Sequence, residues 1–173
     1  MREIYQKAAP VKMILTDVDG VLTDGRLIFD NLGNEMKGFH ARDGLGILIW
    51  KKEGGRLGFI TKRVSEVVRR RAEELGVVEC HQNAQDKGSL LEGILARQGL
   101  KREEVAFIGD DLADLGILRR VGFSAAPADC VAEVREAVDY VAGKNGGQGV
   151  LREVIEVILK ARGEWERIVG EFS

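Results

Sequence analysis

Residues 11–20 read Val-Lys-Met-Ile-Leu-Thr-Asp-Val-Asp-Gly and pass from a short apolar run to two aspartates that are two positions apart. The run Val11–Leu15 is short and contains branched residues, which is typical of a strand buried on both faces of a sheet. Asp17 and Asp19 then follow the carboxyl end of that strand, where open α/β sheets place their chemistry. These residues predict an α/β fold with an acidic site at one edge of its sheet.

Beyond this strand, helical and extended patterns alternate until a final helix that is predicted from Val150 to about Ile168. Such alternation indicates a parallel sheet covered by helices on both faces. We therefore predict a doubly wound parallel sheet. The length of 173 residues and the apolar content of 45% suit one domain over residues 1–173.

The segment Arg26–Phe39 has a different pattern. Its two ends are short extended runs, and the segment Asp30–Asn34 between them is rich in turn-forming residues. We predict a projecting β-hairpin over about residues 26–39. A two-stranded ribbon is marginal alone in water and its edges pair readily, so the hairpin either joins other subunits or packs on its own domain.

Composition excludes several classes of protein. The 26 basic and 28 acidic side chains leave a net charge of -2, which argues against nucleic acid as a partner. There is no apolar run near the ~20 residues that cross a bilayer and no secretory signal pattern, so we predict a cytoplasmic protein without a membrane partner. Cys80 and Cys130 lack metal-type spacing and are interpreted as ordinary thiols.

Asp17 and Asp19 suit phosphate ester hydrolysis. Phosphate monoesters hydrolyse very slowly in water, and a covalent phosphoaspartate splits the reaction into two displacements. Asp17 would be the nucleophile, and Asp19 would protonate the leaving alcohol and later deprotonate a water molecule. A lone Asp-x-Asp-Gly also often does no more than cap a turn.

A second acidic group, Gly109–Asp114, follows the apolar strand Val105–Ile108. Carboxylates gathered at one sheet edge repel each other unless a cation neutralises them, and Mg²⁺ prefers such hard oxygen ligands. We predict that Mg²⁺ binds Asp17, Asp110 and the backbone carbonyl of Asp19. Asp111 and Asp114 are expected to support these ligands or to cap the next helix, with a capping or surface position favoured for Asp114.

Thr61 and Lys87 complete the predicted site. Thr61 ends the strand that starts at Arg56, where its hydroxyl could bind a phosphate oxygen. Lys87 opens a helix, and its ammonium could neutralise the transferring phosphoryl group. Taken singly, a threonine at a strand end and a lysine on a helix are usually unremarkable.

In order and type, Asp17-x-Asp19, Thr61, Lys87 and Gly109-Asp110-Asp111 resemble the four motifs of the haloacid dehalogenase superfamily, over about residues 11–160. Two-component receiver domains use similar residues, but their acidic pair comes first in the chain, whereas here an acidic group comes last. The resemblance implies a Rossmann-type phosphatase domain that depends on Mg²⁺.

More narrowly, the segments 16–25, Arg42-Asp43-Gly44, Ile108–Asp111 and 146–153 resemble the 3-deoxy-D-manno-octulosonate 8-phosphate phosphatase family. The resemblance implies a phosphorylated sugar acid as substrate, no cap domain, and a homotetramer in which hairpins form a central barrel. The intervals from Asp17 to Thr61 and from Thr61 to Lys87 agree, because neither can hold a separate cap.

Arg63 and Arg42 are candidates for binding the carboxylate of the sugar acid, because a guanidinium can contact a carboxylate with two hydrogen bonds. Lys62 stands where relatives usually have glycine. The tail, residues 163–173, extends the last helix, frays, or reaches a neighbouring site. Two other functions stay open: a phosphatase for a nine-carbon sugar acid 9-phosphate, and a non-catalytic oligomerisation module.

Overall fold

The structure is a computed structural model that describes residues 1–172, so Ser173 of the predicted tail lies outside the described residues. Six strands form one parallel sheet: β1 (Met13–Thr16), β4 (Arg56–Ile60), β5 (Glu79–His81), β6 (Val105–Ile108), β7 (Phe123–Ala126) and β8 (Tyr140–Val141). Their spatial order is β5-β4-β1-β6-β7-β8. The first strand therefore lies inside the sheet, between β4 and β6.

The described helices are α1 (Arg2–Ala8), α2 (Ala41–Lys52), α3 (Glu66–Leu75), α4 (Lys87–Gln98), α5 (Leu115–Leu118), α6 (Ala132–Ala137), α7 (Val150–Ala161) and α8 (Trp165–Gly170). Successive strand side chains point to opposite faces. Ile14 of β1 joins one buried cluster with α2 and α7, while Met13 and Leu15 join a second cluster with α4 and α5. The predicted doubly wound sheet is confirmed.

Capping residues and one glycine set the ends of the helices. α2 begins at Ala41, because His40 caps it by accepting from the backbone N–H of Arg42. The long final helix is interrupted at Gly163, whose φ of 72° is left-handed, so α7 and α8 are separate. A 3₁₀ turn, Leu112–Asp114, leads directly into α5.

The predicted hairpin is present as a separate two-stranded sheet of β2 (Ile28–Phe29) and β3 (Glu35–Met36). Asp30 stabilises its turn, because Oδ1 accepts from the backbone N–H groups of Leu32 and Asn34, each at 2.8 Å. Between β1 and β4 the described chain forms only this hairpin and α2, so there is no separate cap domain. The helices of residues 1–172 include none with the length and apolar character of a membrane span.

Candidate active site

The register of the sheet brings the two acidic segments together. Thr16 at the end of β1 pairs with Ile108 at the end of β6, and the backbone N–H of Asp17 donates to the carbonyl of Ile108 at 2.9 Å. Asp17, Asp110 and Asp114 each offer one carboxylate oxygen, and these oxygens lie within 4.8 Å of one another. The predicted convergence of Asp17 and Asp110 is thus observed.

Lys87 reaches this cluster from the first residue of α4, which begins there because Asp86 accepts from the backbone N–H of Ser89. The Lys87 side chain is only 1% exposed, and its Nζ lies 3.0 Å from Oδ2 of Asp17 and 2.7 Å from Oδ1 of Asp114. Burial lowers the pKa of Lys87, but the two carboxylates outweigh burial and raise it. Lys87 is therefore a buried ammonium beside the predicted nucleophile.

The carboxylates themselves are held in an unfavourable environment. Burial raises the pKa of Asp17 to about 6, although Lys87 opposes the change. Burial and then the charges of Asp17 and Asp114 raise the pKa of Asp110 to about 7. Oδ1 of Asp110 is buried without a hydrogen-bond partner among residues 1–172. A divalent cation ligated by Asp17 and Asp110 would satisfy that oxygen and relieve the repulsion.

Of the two positions predicted for Asp114, the surface position is wrong and the capping position is confirmed, because its Oδ2 accepts from the backbone N–H of Asp111 at 3.4 Å at the start of the 3₁₀ turn. Asp114 is fully buried, its Oδ2 accepts from the backbone N–H of Asp110 at 3.0 Å, and its Oδ1 accepts from Lys87. Both oxygens thus already have partners, so Asp114 supports Asp110 and Lys87. Asp111 caps the following 3₁₀ turn by accepting from the backbone N–H of Leu112 at 2.6 Å.

Glycines allow close packing of the loops at this site. Gly20 has a φ of 92°, which disfavours L side chains, and a Cβ atom there would collide with the carboxylate of Asp110. Gly147 donates from its backbone N–H to the carbonyl of Val21 at 3.0 Å. The loop before α7 therefore packs directly on the loop that carries the two aspartates.

Thr61 lies at the end of β4, the strand beside β1, and is buried. Its Oγ1 accepts from the backbone N–H of Arg63 at 3.3 Å. The Arg63 side chain turns back to the site: Nη2 donates to Oε1 of Glu35 at 3.1 Å, and Nε lies 3.8 Å from Oδ2 of Asp19. The loop after β4 is thus close to the predicted acid/base.

Two charged residues of this site were missed by sequence reasoning, namely Lys37 and Glu35 at the end of the hairpin. The Lys37 side chain is 1% exposed, and its Nζ donates to Oδ1 of Asp19 and lies 3.2 Å from Oε1 of Glu35. The available signal was their spacing, because residues two apart on a strand share one face.

Arg42 and Lys62 are both exposed. Arg42 lies in the first turn of α2, where its backbone N–H donates to Nδ1 of His40 at 3.2 Å. Lys62 lies between Thr61 and Arg63 on the loop after β4. Arg63 therefore contacts the network around Asp19, whereas Arg42 and Lys62 face solvent.

Comparison with known proteins agrees with this geometry. The profile of the haloacid dehalogenase-like hydrolases matches residues 58–154. The chain belongs to the haloacid dehalogenase-like hydrolase family.

Among curated relatives, 3-deoxy-D-manno-octulosonate 8-phosphate phosphatase of Haemophilus influenzae is 38% identical over 161 residues, which are 93% of this chain and 89% of that protein. The structure of the phosphatase of the same name from Moraxella catarrhalis, in complex with magnesium ion, phosphate ion and a KDO molecule, has a TM-score of 0.97 and 41% identity. It covers 100% of this chain and 99% of that chain. The structure of the cobalt-bound H. influenzae phosphatase has a TM-score of 0.92 and 36% identity. That match covers 97% of this chain and 100% of the H. influenzae chain.

Proposed function

We propose that this protein is a magnesium-dependent phosphatase that converts 3-deoxy-D-manno-octulosonate 8-phosphate to the free sugar acid and inorganic phosphate. The observation that carries the proposal is the convergence of Asp17, Asp110 and the buried ammonium of Lys87 at one sheet edge. Similarity to phosphatases of that name, over nearly the whole of both chains, supports the substrate.

In the first step, a carboxylate oxygen of Asp17 attacks phosphorus while the bond between phosphorus and the ester oxygen breaks. Asp19 gives its proton to the departing sugar oxygen, and the phosphoryl group is left on Asp17. Lys87 balances the charge that gathers beside Asp17, and the Thr61 hydroxyl donates to a phosphoryl oxygen.

In the second step, Asp19, now a carboxylate, takes a proton from water as that water attacks phosphorus. The bond between phosphorus and the Asp17 oxygen breaks, and the free carboxylate and inorganic phosphate are regenerated. Asp17, Asp110 and the backbone carbonyl of Asp19 would hold Mg²⁺, whose positive charge would stabilise the phosphoryl oxygens. Asp114 and Asp111 hold the loop that carries Asp110.

Recognition of the sugar acid is assigned to cationic side chains. Arg63 would bind the substrate carboxylate, and Arg42 would provide a second contact from the start of α2. Lys62 adds a further charge on the same loop as Arg63. A phosphorylated sugar acid, which carries a carboxylate besides its phosphate, fits this arrangement better than the phosphate of a neutral sugar.

The hairpin is proposed to assemble the chain into a homotetramer. Its apolar side chains are exposed rather than packed on the domain, with Leu32 88% exposed and Phe29 and Met36 more than half exposed. Such a patch on a two-stranded sheet favours association. Sedimentation of the wild type and of Phe29→Glu tests it: a tetramer that dissociates in the variant supports the proposal, and a monomeric wild type contradicts it. The cytoplasmic location stays a prediction.

The decisive experiment measures phosphate release from 3-deoxy-D-manno-octulosonate 8-phosphate with Mg²⁺, with EDTA, and with the Asp17→Asn variant. We expect release by the wild type with Mg²⁺ and no release in the two other assays. A nine-carbon sugar acid 9-phosphate is assayed in parallel, and an equal or higher kcat/KM for it would refute the substrate assignment. Intact tetramers without activity on any sugar phosphate would favour the oligomerisation module.

A further inference from the structure

We propose that Glu35, at the base of the hairpin, is a positioning residue that holds Lys37 and Arg63 against the carboxylate of Asp19. This role rests on the proposed phosphatase function, in which Asp19 is the acid/base. Glu35 itself is not proposed to touch the substrate.

The contacts converge on a single carboxylate. Oε1 of Glu35 lies 3.2 Å from Nζ of Lys37 and 3.1 Å from Nη2 of Arg63, so one oxygen binds both cations. Oε2 accepts from the hydroxyl of Ser65 at 2.5 Å, and that hydroxyl also accepts from the backbone N–H of Val68 to cap α3. Glu35 therefore connects the hairpin to the first turn of a helix in the main domain.

Each of the two cations faces a different oxygen of Asp19. Lys37 donates to Oδ1, whereas Nε of Arg63 lies 3.8 Å from Oδ2. In the described chain, both that Nε and that Oδ2 are buried without a hydrogen-bond partner. A small movement of Arg63 would bring its Nε within hydrogen-bond distance of Oδ2 of Asp19. Glu35 fixes the position of the guanidinium because it binds Nη2.

Charge balance gives Glu35 a role that a neutral residue could not fill. Lys37 and Arg63 are two positive charges around Asp19, which is a carboxylate in the second step of the proposed reaction, and Glu35 supplies the second negative charge. Without it the cations would repel one another, and both are long side chains that would regain rotamer freedom. Because geometry errors of about 1 Å can cost on the order of 100-fold in rate, loss of this anchor should affect catalysis.

The first test uses p-nitrophenyl phosphate, which lacks the sugar acid and therefore bypasses sugar recognition. Its leaving group needs little protonation, so the assay reports mainly on Asp19 as the base of the second step. With Mg²⁺ present, we expect Glu35→Ala to lower kcat by about 10- to 100-fold with KM changed by less than about threefold. Glu35→Gln keeps one acceptor oxygen, which can serve Arg63 or Ser65 but not both, and should recover part of the loss. Unchanged kcat in Glu35→Ala would overturn the proposal.

Asp30→Ala is the matched control, because it removes the hydrogen bonds of the hairpin turn without touching the Glu35 contacts. We expect Asp30→Ala to keep kcat within about threefold of the wild type. An equal loss of kcat in both variants would mean that any damage to the hairpin lowers activity, and the specific role of Glu35 would be refuted.

A double-mutant cycle with Lys37→Met separates positioning from a purely structural role. If Glu35 acts through Lys37, the double variant should lose little more kcat than the worse single variant, whereas independent effects multiply. Fully multiplicative losses would overturn the proposal.

A crystal structure of Glu35→Ala gives a readout that needs no activity. We expect Lys37 Nζ and Arg63 Nε to move away from Asp19 by about 1 Å or more. Side chains that stay in place would refute the positioning role, even in an active enzyme. A wild type that hydrolyses neither p-nitrophenyl phosphate nor a sugar phosphate would instead refute the proposed function itself.

Discussion

Nζ of Lys87 lies 3.0 Å from Oδ2 of Asp17, and the same atom is 2.7 Å from Oδ1 of Asp114. One buried ammonium thus links the end of β1 to the acidic segment after β6. Three carboxylates lie close together here, those of Asp17, Asp110 and Asp114. The charge of Lys87 and that of a metal ion are both needed to offset their repulsion.

Lys87→Met should lower phosphate release by about 100-fold or more, because it removes a preorganised cation from beside the attacked phosphorus. The methionine keeps most of the side-chain volume but leaves Asp17 and Asp114 without their partner. Steady-state assays with Mg²⁺ check this, and circular dichroism confirms that the variant is folded. Lys52→Met, on an exposed ion pair with Glu171, is the matched control. Wild-type activity in Lys87→Met would contradict the proposed mechanism.

Asp110→Asn should stabilise the metal-free protein. Burial and neighbouring carboxylates raise the pKa of Asp110 from its ordinary 3.8 to about 7, so the folded state disfavours its charge. The stability that comes from the preference of the folded state for protonated Asp110 is fully present below pH 3.8, the ordinary pKa. It is lost as pH rises through about 7. At pH 8 we expect the variant to gain on the order of 2–4 kcal/mol without metal.

Thermal unfolding of Asp110→Asn and the wild type, with EDTA and with Mg²⁺, checks this prediction. Added Mg²⁺ should raise the melting temperature of the wild type far more than that of the variant, because the variant lacks one ligand charge. A variant that is less stable than the wild type in EDTA at pH 8 would show that Asp110 is not strained by its neighbours.

Gly20→Ala should abolish activity and weaken Mg²⁺ binding, because its Cβ atom would collide with the carboxylate of Asp110. Gly33→Ala is a matched control at the hairpin turn, where φ is 84° and a Cβ atom would meet nothing within 4 Å. Both variants carry a backbone cost of about 1 kcal/mol, but only Gly20→Ala disturbs the acidic cluster. Calorimetric titration with Mg²⁺ measures the difference, and equal affinities in the two variants would contradict it.

Glu79→Gln should destabilise the protein without changing its kcat. Burial opposes ionisation of Glu79, but hydrogen bonds from Arg97, Gln98 and His81 prevail and lower its pKa to about 2. The stability that ionised Glu79 contributes is fully present above pH 4.5, its ordinary pKa, and is lost as pH falls through about 2. We expect a loss of about 1–3 kcal/mol at pH 7, which shrinks in acid. Urea unfolding at pH 7 and pH 3 measures it, and a loss that is larger at pH 3 would contradict the assignment.

The order of elements was predictable because it follows from local patterns. The apolar run before Asp17 and the run Val105–Ile108 both became interior strands, and the acids that follow them meet at one edge. Helix ends were less predictable, since α7 and α8 are separated by a single left-handed glycine, Gly163, within an otherwise helical pattern. Periodicity reports the face that a helix buries but does not locate such a break.

Sequence alone was sufficient to predict the order of the strands along the chain and the hairpin, because each has a recognisable local pattern. It also marked Asp17, Asp19, Thr61, Lys87 and Asp110 as candidate site residues, because each follows a strand or opens a helix. Only the tertiary structure decided that Asp114 is buried beneath Asp110 and that Glu35 and Lys37 reach Asp19. Those contacts join residues from separate elements, and their distances depend on how the hairpin and the loops pack against the sheet. The pattern of residues along the chain predicts secondary structure but does not predict that packing directly.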